Sequence, residues 1–253
     1  MNSQPKPAAT SSKSDAPVRV LITRPLEDAE PLAAHLHALG HTTFVEPLID
    51  IVFADGPELD LTGIQALLFT SANGARAAAR RTPVRNLPVL AVGPATATAA
   101  RNHGFAHITE SNGEGVEGLA ATIRATRDPK AGALLHVAGT VTAGDLKASL
   151  SPQGFTVRVE RLYEARAAQN LSGSLAAELE AGLIDDALFF SPRTADLFVA
   201  LIRAANLEAA CAKIGALALS PAVAKALAPL PFRAVDAAAH PTADALLARL
   251  NPV

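Results

Sequence analysis

From Val18 onward, short apolar runs alternate with stretches whose apolar positions recur every three or four residues, the pattern of a parallel sheet wrapped by helices. The runs predict strands at 18–23, 44–51, 66–69, 89–92, 107–109, 133–137, 156–162, 187–190, 214–219 and 232–235. Arg24-Pro25 opens a helix on which Leu32, Leu36 and Leu39 share a face and which Gly40 ends. Further helices are expected around Leu175 to Leu179 and over 242–250, and 54–63 is turn-rich.

The pattern also repeats. GHTTFVEPLIDI (40–51) returns 114 residues later as GFTVRVERLYEA (154–165), with Gly40 on Gly154, Thr42 on Thr156 and Glu46 on Glu160. Leu67-Leu68-Phe69-Thr70-Ser71 resembles Leu188-Phe189-Phe190-Ser191-Pro192, and 91–97 resembles 218–224. The expected α/β fold therefore has two doubly wound parallel-sheet domains, the second a permuted copy inserted in the first, joined by a two-stranded linker. In this reading residues 1–16 are a disordered tail, 17–48 with 167–253 form domain 1, and 53–161 form domain 2. The chain would cross near 47–53 and 161–166, and the carboxyl ends of the strands would line a cleft. Tyr163, the only tyrosine, lies on the second crossing.

Composition fits two cores. The 253 residues are 49% apolar and 18% charged, with no apolar run near the ~18 residues of a membrane helix. A net charge of −2 gives no footprint for nucleic acid or an anionic membrane. The lone Cys211 excludes a disulfide framework and fits a reducing compartment. The first sixteen residues lack the apolar core of a signal peptide, so a cytoplasmic protein is expected.

Four strand ends carry hydroxyls or glycine beside a helix start: 70–74 (TSANG), 93–96 (GPAT), 191–194 (SPRT) and 220–221 (SP). Each alone reads as a helix cap, with proline in the first turn where present. Together, free amides and hydroxyls at several helix N-termini would suit a ligand with many carboxylates, and Arg24, Arg76 and Arg193 stand close by. Gly113 to Gly118 matches the dinucleotide pattern GxGxxG, but its strand is not the first of its domain, and two glutamates would meet the pyrophosphate. His35, His37 and His41 do not share a helix face, so they are not read as a metal site. No nucleophile grouping or cofactor motif is visible.

Taken in order, 21–25 (LITRP), 69–74 (FTSANG), 92–97 (VGPATA) and 189–193 (FFSPR), with the tyrosine of the second crossing, resemble the uroporphyrinogen-III synthase family over about 18–250. The resemblance implies closure of the linear tetrapyrrole hydroxymethylbilane to uroporphyrinogen III, with loss of water, inversion of ring D and no metal or organic cofactor. The partner it implies is that small molecule; a monomer is expected, and by charge and hydropathy neither nucleic acid nor membrane as partner. By the same resemblance Tyr163 is the candidate catalytic acid. Thr23, Arg24, Thr70, Ser71, Asn73, Gly93, Ala95, Thr96, Gly139, Ser191, Arg193 and Ser220 are the candidate substrate contacts. This chain departs from the family at Ser220-Pro221-Ala222-Val223, where many members have Gly-Pro-Thr-Thr, and at 137–144, which lacks arginines common there. Thr96 is thus expected to bind where its counterpart Val223 cannot. The rivals are a two-domain protein that closes on a small anion without chemistry, and a sugar-nucleotide transferase, for which the chain is short and lacks an acidic nucleotide-binding signature.

Overall fold

The computed structural model describes residues 17–250 apart from Asn112, Glu114 and Ala143; the expected tail at 1–16 lies outside the described residues. Contacts divide the chain into two units, one taking in the chain up to Asp50 and from Ala167 onward, the other Ile51–Arg166.

The elements begin with β1 (Arg19–Ile22), α1 (Leu26–Ala38), β2 (Thr42–Val45) and β3 (Ile49–Phe53). Next come β4 (Ile64–Phe69), α2 (Ala72–Arg81), β5 (Pro88–Ala91), α3 (Pro94–Asn102), β6 (His107–Glu110) and α4 (Gly115–Thr126). β7 (Ala133–Gly139), α5 (Leu146–Leu150) and β8 (Val157–Ala167) complete the inserted unit. The return passes through α6 (Gly173–Glu180), β9 (Asp186–Phe189), α7 (Pro192–Ala204), β10 (Gly215–Ala218), α8 (Pro221–Leu227), β11 (Ala234–Ala237) and α9 (Ala243–Leu247).

The first unit's sheet runs β2-β1-β9-β10-β11, all parallel. Alternation along β1 sends Leu21 into one core layer with Phe189, Phe198 and Ile202, and Val20 and Ile22 into the other with Leu36, Leu188 and Leu246. The second unit's parallel strands run β8-β7-β4-β5-β6, with β3 beside β8. Here Leu67, Phe69, Leu135 and Val137 fill one layer, and Ala66, Leu68, Leu90 and Leu134 the other. Each fully buried large apolar side chain contributes about 1.5 to 3 kcal/mol, so both sheets are held mainly by their two covered faces.

Counted within its own unit from β1 or from β7, the five parallel strands of each sheet have the order 2-1-3-4-5 of a doubly wound fold, β3 being added at the edge of the second, so the second is a permuted copy of the first. The pairing agrees residue for residue: Val20 lies opposite Thr43 and Leu134 opposite Val157, both at the offset of 114. Gly40 and Gly154 enter their strands at φ 85° and 84°, a left-handed conformation that side chains resist.

The structure corrects the sequence reading in three places. The strand expected at 44–51 is two strands, because Pro47 has no N–H to continue the ladder; β2 stops at Val45 and β3 starts at Ile49. Leu39, expected on the buried face of α1, is 44% exposed, since the helix has ended before it, whereas Leu32 and Leu36 are buried. The repeat around β4 and β9 is displaced by one residue. Leu67 pairs with Leu135 as Ala187 pairs with Leu21, which sets Ser191, not Pro192, in the place of Ser71.

Candidate active site

In the second unit the parallel strands β7, β4 and β5 finish on one edge, where α2 and α3 begin. Ser71 caps α2, its Oγ accepting the Gly74 N–H at 3.2 Å. The same Oγ lies 2.7 Å from the Tyr163 Oη. Tyr163 reaches it because β8 pairs with β7 through a register shift between Ala138 and Gly139, which sets Gly139 opposite the tyrosine. A β-carbon at Gly139 would stand 2.8 Å from the ring's Cε2 and 3.0 Å from its Cζ. The absent side chain therefore gives the ring its place.

One step along the edge, Thr70 Oγ1 lies 3.1 Å from His136 Nε2. His136 sits in the middle of β7, 4% exposed; burial holds its pKa below the usual histidine value, with Asp145 pulling weakly the other way. The imidazole is neutral near pH 7 and fixes the threonine hydroxyl. Sequence reading passed over His136, although a histidine inside the apolar run LLHVAG signals a buried polar group that needs a partner. Thr70, Ser71, Thr142 and Tyr163 bring hydroxyls to a cavity of about 500 Å³ whose other walls include Val92 and Val116.

Asn73 holds Arg76 Nη1 at 2.7 Å. Gly93 caps α3 with open space around its α-carbon, and Ala95 is exposed. The amides of Ala95 and Thr96 belong to the first turn, where no intrahelical acceptor exists. The Thr96 side chain, however, is only 5% exposed, like its counterpart Val223 at 1%.

In the first unit, β1, β9 and β10 are neighbours, and the remaining candidates stand at their carboxyl ends. Thr23 is fully buried and donates to the Leu188 carbonyl at 3.0 Å. Arg24 pairs with Asp28 at 3.2 Å and lies 4.3 Å over the Phe190 ring. Ser191 caps α7, accepting the Thr194 N–H at 3.1 Å, with Thr194 Oγ1 at 2.9 Å; Arg193 is exposed in the same turn. Ser220 caps α8 through the Val223 N–H at 3.4 Å.

The remaining motifs lie elsewhere. The glycine-rich stretch follows β6, an edge strand, and Gly118 packs directly on Gly113, so its glycines permit a close backbone approach; Glu114 lies outside the described residues. His37 meets Thr43 at 2.9 Å, while His41 accepts the Val18 N–H at 3.5 Å. Cys211 is buried, which pushes its thiol up to about 11.

Two doubly wound units of matching register, one with a hydroxyl-lined pocket at its carboxyl edge, define a two-domain α/β protein built to act on a small molecule. The family model of uroporphyrinogen-III synthase HemD matches residues 30–248, and the chain belongs to that family. The uroporphyrinogen-III synthetase of Helicobacter pylori 26695 has a similar fold: TM-score 0.59, 18% identity, covering 91% of this chain and 97% of that one. Uroporphyrinogen III synthase of Thermus thermophilus matches at 18% identity over 91% of this chain and 97% of that one, with a TM-score of 0.38. Comparison with curated proteins gives no match. The function is the cyclisation of hydroxymethylbilane to uroporphyrinogen III, with loss of water and inversion of ring D, in tetrapyrrole biosynthesis. Among the described residues no helix is long and apolar enough to cross a membrane.

Proposed function

We propose that Tyr163 is the acid of this cyclisation and that the carboxyl edges of the two sheets hold the substrate's acetate and propionate groups. The phenol gives its proton to the hydroxymethyl oxygen on ring A. The carbon–oxygen bond breaks, water leaves, and the pyrrole nitrogen supplies the electron pair that forms an azafulvene. The substituted carbon of ring D attacks it, the spiro intermediate fragments, and ring D recloses inverted. The proton released as ring D regains aromaticity restores the phenol. A phenol carries an O–H donor that it can give to a departing oxygen, so it can act as this acid.

The observation that carries the reading is the fixed phenol at the wall of the cavity, between Ser71 and Gly139. Substrate contacts would come from the Thr70 hydroxyl, the Asn73 side chain and the amides around Gly93, Ala95 and Thr96. In the first unit they would come from the capped turns at Ser191 and Ser220, with Arg24 and Arg193; Thr23, fully buried, would support that edge from behind. The protein would act as a cytoplasmic monomer with hydroxymethylbilane as its partner and no nucleic acid, in keeping with its net charge of −2.

Tyr163→Phe keeps the ring and removes the donor. In a single-turnover assay on freshly made hydroxymethylbilane, turnover is expected to fall roughly tenfold to a thousandfold with affinity little changed, and the residual product is isomer III. Turnover at the wild-type rate would make the residue structural. Isomer I from the bound reaction would mean that Tyr163 holds the substrate's shape instead.

A further inference from the structure

We infer that Ser71 is a positioning residue for Tyr163 whose hydroxyl stabilises the negative charge that appears on the phenol oxygen as its proton departs. This rests on the reading of Tyr163 as the acid. The Ser71 oxygen already accepts the Gly74 N–H at 3.2 Å, which anchors it at the first turn of the ten-residue helix α2. A serine hydroxyl has one proton, and with its oxygen turned to the helix amide, that proton is left for the neighbour 2.7 Å away, the Tyr163 oxygen.

While the phenol is protonated, either oxygen can donate to the other. Once the proton has passed to the leaving hydroxide, only Ser71 can donate, so the bond becomes charge-assisted at the moment the charge develops. The positive end of α2 lies behind Ser71 and acts in the same direction. Gly139 holds the other side of the ring by having no side chain, and the Tyr163 carbonyl accepts the Thr140 N–H at 3.0 Å. The phenol therefore has little freedom to leave the serine. In the first unit the equivalent serine, Ser191, keeps its hydroxyl within its own helix, on Thr194, so the link to a distant strand is particular to Ser71.

The test is a double-mutant cycle in the intact chain, using single-turnover rates with hydroxymethylbilane. Ser71→Ala is expected to slow turnover about tenfold when Tyr163 is present and by less than about twofold when it is already Phe. Loss of the helix cap enters both backgrounds and cancels, and Ser71→Thr, which keeps cap and hydroxyl, is expected to restore most of the rate. A second readout needs no substrate. The chain has one tyrosine and no tryptophan, so its alkaline ultraviolet transition reports Tyr163, and it is expected to move to higher pH in Ser71→Ala. A slow Tyr163→Phe with the same Ser71→Ala factor in both backgrounds would overturn the inference and leave the acid in place. A wild-type rate in Tyr163→Phe would overturn both.

Discussion

At the offset of 114 that relates β1 and β2 to β7 and β8, His136 stands where the first unit has Ile22, and Gly139 where it has Pro25. By the same offset in sequence Tyr163 falls on Ile49, and the strand register places Thr70 on Phe190. In the first unit this edge has one hydroxyl bonded across the sheet, Thr23 to the Leu188 backbone carbonyl, and its capping serine stays within its own helix. Phe190 lies under Arg24, and Ser191 turns to Thr194. In the second unit the corresponding hydroxyls reach other strands, Thr70 to His136 on β7 and Ser71 to Tyr163 on β8. The two edges thus differ in the partners of their hydroxyls: backbone and helix cap in the first unit, side chains of other strands, His136 and Tyr163, in the second. The difference fits the proposal that Tyr163, in the second unit, is the acid of the reaction.

The comparison breaks most directly at Gly139. Gly139→Val places a branched side chain where the ring stands and is expected to lower turnover about a hundredfold, the usual cost of moving a reacting group by about an ångström. Steady-state turnover with circular dichroism as a fold control checks this. Wild-type turnover in the variant would mean that the ring's place is unimportant.

The buried histidine gives a smaller effect, read as pH dependence. Because burial lowers the His136 pKa below 6.5, the unfolded chain binds the proton more readily. Its contribution is therefore complete above about pH 6.5 and falls as the pH drops toward the folded value, by at most about 1.4 kcal/mol per pH unit. His136→Leu is expected to flatten that acid limb while lowering stability by about 1 kcal/mol near pH 7.5, through the bond lost to Thr70. Asp186, raised by burial against the pull of Arg233, acts with the opposite sign, but it is present in both proteins and cancels. Urea midpoints at about pH 5.5 and 7.5 measure the difference; an unchanged slope would show that His136 is not held neutral.

The smallest effect is expected at the one position where the second unit was to bind better by a hydroxyl. Thr96 and Val223 are both turned inward, so Thr96→Val should change product affinity by less than about twofold. A loss of tenfold or more, as a hydrogen bond to a carboxylate would give, would restore Thr96 as a direct contact. Calorimetric titration with uroporphyrinogen III under anaerobic conditions decides between them.

Alternation of apolar runs, glycine at helix ends and hydroxyls before helices are local signals, and they carried the strands, the caps at Ser71, Ser191 and Ser220 and the permuted repeat. They also carried the family, since the order of short motifs survives where single contacts change. Which side chains meet is not a local property. Ser71 and Tyr163 are 92 residues apart and Thr70 and His136 are 66 apart, and each pair forms only through strand pairing. The register shift after Ala138 sets Gly139 opposite Tyr163, and no composition or period reports such a shift. The one-residue displacement of the repeat at Ser191 has the same origin: identity of letters favoured Thr70, whereas the ladder of hydrogen bonds fixed Ser71. The burial of Thr96 is likewise not a local property, because a first-turn side chain faces solvent or core according to what packs beneath its helix, and that only the folded sheet supplies.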